Sequence, residues 1–138
     1  MESITMMPDV NPLAVLIAGV SGFFVGGLWY GPLFAKPWMA ANGFTVEDLK
    51  RDFSPAKSYG TAFVMGLIAA YGLAIVIGGD RGLQTGAFLG ACAAAFWVAT
   101  SFATSYAFER RTTTLLLINA GYHIVQFAVM GAIIGLMQ

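Results

Sequence analysis

Apolar residues run almost unbroken through residues 11–34, 56–78, 83–108 and 113–137, and polar residues gather in the connections between them. A hydrocarbon layer of roughly 30 Å takes about 20 helical residues, so each stretch is long enough to cross a bilayer. Only helices or a closed barrel satisfy the backbone inside lipid, and the stretches lack the alternating polarity of barrel strands. The pattern predicts an all-α, single-domain membrane protein, a bundle of four transmembrane helices.

The connections predict their own structure. In residues 40–57, Thr45 precedes Glu47 and Asp48, the arrangement of an N-cap with acidic residues in the first turn, and predicts a short interfacial helix over Val46–Asp52. Ser54 and Pro55 then start the second span as N-cap and first helical residue. Asp80-Arg81-Gly82 and Glu109-Arg110-Arg111 read as tight turns. Glu2 and Asp9 precede the first stretch without a lysine or arginine, the reverse of a signal peptide's basic leader, so that stretch is expected to be retained.

Small residues mark the expected helix contacts. Gly82, Gly86, Gly90 and Ala94 recur every fourth residue on the third span, where they let a neighbouring helix approach closely. Gly19, Gly22 and Gly26 share a face of the first span with Tyr30, and Gly121, Ala128 and Gly135 form a seven-residue seam on the fourth. These faces serve either packing within the chain or association between copies.

Asn119, Tyr122, His123 and Gln126 stand at i, i+3, i+4 and i+7 of the fourth span, an arc of roughly 100°. On the third, Trp97, Thr100, Ser101 and Thr104 continue the small-residue face, so the helical wheel predicts a polar lane between the third and fourth spans. Unpaired polar groups facing lipid are costly, which turns such side chains inward. The lane reads either as hydrogen bonds between helices or as a contact path for an ion or small solute around His123, the one histidine of the chain.

With 58% hydrophobic and 10% charged residues, the chain has too little polar surface to cover a soluble globule. Its net charge is zero, which gives no field to attract nucleic acid. The distribution of charge is more informative: Lys36, Lys50, Arg51, Lys57, Arg110 and Arg111 lie in the first and third connections, and Arg81 alone on the other side. Under the positive-inside rule those connections face the cytoplasm and both termini face outward, in an inner membrane. Trp29, Tyr30, Phe34, Lys36 and Trp38 cluster where the first span would meet the cytoplasmic interface, as anchors. Cys92 is the only cysteine, and no metal or cofactor site is expected.

Asn11-Pro12-Leu13-Ala14-Val15, the string Gly26-Gly27-Leu28-Trp29-Tyr30-Gly31-Pro32-Leu33-Phe34 with Lys36 and Trp38, and the patch Asn119-Ala120-Gly121-Tyr122 carry a resemblance over essentially the whole chain. The sequence resembles a bacterial membrane family known as domain of unknown function 1761. That resemblance implies a four-helix inner-membrane protein and brings no catalytic residues.

The leading functional expectation is a small non-enzymatic membrane protein, a homo-oligomer or an accessory subunit, with lipid and a second copy or membrane-protein partner as its contacts. The alternative is a channel or transporter using the polar lane. An enzyme is not expected: no Asp or Glu lies within the four stretches, and Ser101 or Ser105, the available partners for His123, belong to a class that usually bonds its own helix backbone.

Overall fold

The computed structural model describes residues 10–52 and 54–138; the acidic leader with Glu2 and Asp9 lies outside them. Helix α1 (Pro12–Leu28) passes into a π-helical turn (Trp29–Leu33). It is followed by α2 (Ala35–Asn42), α3 (Val46–Asp52) and α4 (Pro55–Ile77). Helix α5 (Leu83–Ala93) continues through a second π-helical segment (Ala94–Val98) into α6 (Ala99–Glu109), and α7 (Thr113–Met137) closes the bundle. Four helices, Pro12–Leu33, Pro55–Ile77, Leu83–Glu109 and Thr113–Met137, are long and apolar enough to cross a membrane.

Caps set the starts. Asn11 Oδ1 accepts from the N–H groups of Leu13 (3.0 Å) and Ala14 (3.3 Å), with Pro12 first in the helix. Ser54 and Thr112 cap α4 and α7 in the same way. Thr45 and Asp48 bond reciprocally, Asp48 N–H to Thr45 Oγ1 at 3.1 Å and Thr45 N–H to Asp48 Oδ2 at 2.9 Å, a capping box that starts α3. The turn from α4 to α5 reverses through left-handed backbone at Gly78 (φ 72°), Asp80 (φ 58°) and Gly82 (φ 86°).

The first span does not run on smoothly to Phe34. Pro32 has no N–H to give to the helix, the ladder widens so that Phe34 N–H donates to Trp29 O (2.9 Å), and the chain breaks at Phe34 before α2. Helix α2, which the hydropathy pattern does not separate from its surroundings, lies against α7.

α7 is the hub and touches the other three spans. Its closest neighbour is α5, where glycine meets glycine. A Cβ added to Gly86 would fall on the carbonyl oxygen of Gly131, one on Gly131 on that of Gly86, and one on Gly90 on that of Phe127. Gly135 is likewise pressed against the carbonyl of Gly82. α1 and α4 cross at a second close approach, with the Gly19 carbonyl oxygen 3.3 Å from a Cβ placed on Gly66.

The buried core, Ala14, Ala18, Ala70, Leu73, Ala74, Ile77, Met130 and Ile134, gathers near the start of α1 and the ends of α4 and α7. Gln138 fastens that end of the bundle. Its Oε1 accepts from Asn11 N–H (3.0 Å), and its Nε2 donates to two carbonyls at the end of α4, that of Ala74 (2.9 Å), which also accepts from Gly78 N–H, and that of Gly78 (2.8 Å). Asn11 Nδ2 returns a bond to Met137 O at 3.1 Å. The other half of the bundle has no comparable aliphatic core, and there the polar side chains and a cavity lie.

Candidate functional site

The polar face of α7 forms as its spacing predicts, but it meets a different neighbour. Tyr30 Oη donates to Asn119 Oδ1 (2.7 Å), and Asn119 Nδ2 donates to Tyr106 Oη (2.8 Å). Tyr122 Oη donates to Gly22 O (3.3 Å), and Gln126 Nε2 donates to Ser21 Oγ (3.4 Å). The lane therefore runs chiefly between the first and fourth spans. Gly22 and Gly26 make room for it: a Cβ on Gly22 would lie 2.9 Å from Gln126 Nε2, and one on Gly26 3.5 Å from Tyr122 Oη.

Thr100, Ser101 and Thr104 do not join the lane. They are exposed on the outside of the bundle, and their hydroxyls donate to the carbonyls of Phe96 (2.6 Å), Trp97 (2.6 Å) and Thr100 (3.0 Å) on their own helix. The π-helical segment at Ala94–Val98 accounts for the difference, because one residue more per turn shifts the phase of everything after it by roughly 100° relative to a continuous α-helix. The inward ridge consequently passes from Ala94 through Val98, Phe102 and Tyr106, and Trp97 is 67% exposed.

The aromatic residues expected as interface anchors turn partly inward. Trp29 Nε1 donates to the Ile118 carbonyl (2.9 Å), and its ring covers Gly121, where a Cβ would stand 3.0 Å from Trp29 Cζ2. Gly121 thus serves the first span, whereas Ala128 and Gly135 face the third. Trp29 packs on Phe34 (4.7 Å between centroids), and Tyr30 on both Trp38 (5.8 Å) and Tyr122 (5.2 Å). Lys36 is exposed.

His123 stacks on Phe102, with centroids 5.2 Å apart and planes 26° from parallel, and meets Tyr122 and Phe127 edge-on. No hydrogen bond reaches its ring nitrogens among the described residues. No cluster of three or more His, Cys, Asp or Glu with metal-binding geometry is found among them either.

Beside His123 and Gln126 lies a cavity of about 370 Å³ walled by every span. Gly19, Gly22 and Phe23 form the α1 wall, Ala62, Met65 and Gly66 the α4 wall, Val98 and Phe102 the third-span wall, and Tyr122 to Met130 the α7 wall. Its α4 and third-span walls come from helices that barely touch, so the cavity opens between them. Gln126 is 5% exposed, and its Oε1 is buried without a hydrogen-bond partner.

Sequence spacing did not point to Ser21, Tyr106, Phe102, Gly66 or Gly131. Gly131 stands four residues before Gly135, a signal at hand for the α5 contact, and Tyr106 follows Phe102 by four once the π-helical shift is known.

Four apolar spans around an intramembrane cavity define the class of small multi-span helical bundles. Residues 13–135 match the family model described as "Protein of unknown function (DUF1761)", and the chain belongs to that family. No curated protein and no solved structure matches it.

Proposed function

We propose that this is a non-enzymatic binding protein of the inner membrane that takes a small lipid-soluble molecule from the bilayer into its cavity. The observation that carries the reading is the cavity itself, about 370 Å³, walled by all four spans and open between α4 and the third span rather than closed by side chains. Interiors normally pack to crystal-like density, so an opening of this size inside the bundle calls for an occupant.

Two further features support it over the other readings. The glycine seams that would dock a scaffold onto other helices are occupied within the chain, at Gly86, Gly90, Gly131 and Gly135. The lane that would conduct a solute is filled by hydrogen-bonded side chains, Tyr30 to Asn119 to Tyr106. No acidic side chain stands in the four apolar stretches to supply acid–base chemistry.

The excess of basic residues in the first and third connections supports a placement of α3 at the cytoplasmic interface and of both termini outside. α3 suits such a place: it carries Glu47 and Asp48 in its first turn and Lys50 and Arg51 in its last.

The test is purification from membranes in native lipid discs, followed by organic extraction and mass spectrometry. A neutral lipophile should accompany the wild type in stoichiometric amount and be lost from Ala62→Trp, which fills the cavity mouth. Equal recovery of every extracted species from both proteins would refute the reading.

A further inference from the structure

We infer that the cavity selects an uncharged hydroxyl compound whose O–H donates to Gln126 Oε1. This rests on the binding function proposed above and adds the chemistry of the ligand.

The orientation of the Gln126 amide follows from Ser21. The Ser21 hydroxyl proton goes to the Ala18 carbonyl at 2.6 Å, so Ser21 Oγ has only lone pairs left to offer Gln126. The amide must therefore turn Nε2 toward Ser21, as the 3.4 Å contact records, and this leaves Oε1 without a donor. Flipping the amide would set two acceptors face to face. In water an orphan carbonyl oxygen would be hydrated, but Gln126 is 5% exposed in the interior of a lipid-embedded bundle. The missing partner is a donor, not an acceptor.

The walls limit the rest of the molecule. None of the lining side chains carries a fixed charge, so an ammonium or carboxylate would enter without compensation. Phe23, Phe102 and Phe127 offer flat apolar surface. Benzene occupies an engineered cavity of about 150 Å³. The space here is about 370 Å³, which suits two fused rings or an aliphatic group of similar bulk. Ligand enters sideways from lipid, past Met65 and Ala62 of α4, and a small swing of the Gln126 amide about its soft terminal torsion, with Nε2 still facing Ser21, uncovers the buried Oε1 for its hydroxyl.

The experiment compares 1-naphthol with 1-methoxynaphthalene, which have the same rings and differ in the O–H, by equilibrium dialysis against the full chain in nanodiscs, corrected for partition into empty discs. One saturable site is expected, with naphthol bound about tenfold more tightly than the ether, the worth of one buried hydrogen bond. Gln126→Leu should bring that ratio below about twofold. Equal affinities for the two compounds on wild-type protein would overturn the donor inference and leave the cavity's role as a binding site standing, and that comparison needs no variant. If neither compound binds above the level of empty discs, both the inference and the function it rests on fall.

Discussion

Tyr30 and Asn119, 89 positions apart in the chain, share a hydrogen bond of 2.7 Å that joins the π-helical turn ending the first span to the first third of α7. The amide is used at both ends, since Asn119 Nδ2 also donates to Tyr106 of the third span. Tyr30→Phe and Asn119→Ala should therefore be coupled. A double-mutant cycle on unfolding in mixed micelles is expected to give an interaction of about 0.6 kcal/mol and at most about 1.7 kcal/mol, the range found for hydrogen bonds between membrane helices.

Glycines in this chain divide by what surrounds them, and alanine should report the division. Gly86→Ala puts a methyl group onto the Gly131 backbone and must separate α5 from α7, at a cost of at least about 2–3 kcal/mol. Gly72, in the last third of α4, has open space at the same position, so Gly72→Ala should be neutral or stabilise by up to about 1 kcal/mol. Thermal denaturation in one detergent for both variants checks the contrast.

Gln138 ties the end of α7 to the start of α1 and the end of α4 through its side chain alone. Gln138→Ala removes these bonds and should cost about 1–2 kcal/mol. Hydrogen exchange at the Asn11 amide, a donor to Oε1, should speed up by about tenfold or more, whereas amides in the middle of α7 stay protected.

Asp48 gives α3 a dependence on pH. The Thr45 backbone N–H and hydroxyl hold its carboxyl below the ordinary value of 3.8, so the contribution to helix stability is present above that value and is lost as the pH falls through the lowered one. Acid should fray α3 while the spans remain helical. Asp48→Asn should remove most of that response in segment-labelled NMR shifts.

Orientation has a direct check. In a Cys92→Ala background, Lys50→Cys should react with an impermeant maleimide only after the inner membrane is permeabilised, and Arg81→Cys should react in intact spheroplasts. Reversal of the two patterns would invert the topology.

The spans were legible because a run of about 20 apolar residues has few other folded fates, and α3 was legible to the residue because Thr45 and Asp48 write its cap into the sequence. The polar face of α7 was equally plain, since it lies on one uninterrupted helix. What it touches was not. A wheel drawn at constant pitch carries Ser101 and Thr104 inward, and nothing in Ala94-Ala95-Phe96-Trp97-Val98 announces the wider turn that carries them out. Pro32 did offer a signal for the first such turn, because a residue without an N–H forces the ladder to slip. The cavity left no signature of its own, being a property of the gap between helices distant in sequence.

The uneven placement of the aliphatic core makes the bundle a clothes-peg. Its spring is the Ala and Gly packing fastened by Gln138, and its jaws are the halves of α4 and the third span that barely meet. Thermal spreading costs least where the jaws are, so acyl-chain crowding in the leaflet beside the basic connections would squeeze them shut and thinning of that leaflet would let them part. The lipid surroundings would then set how easily the cavity fills.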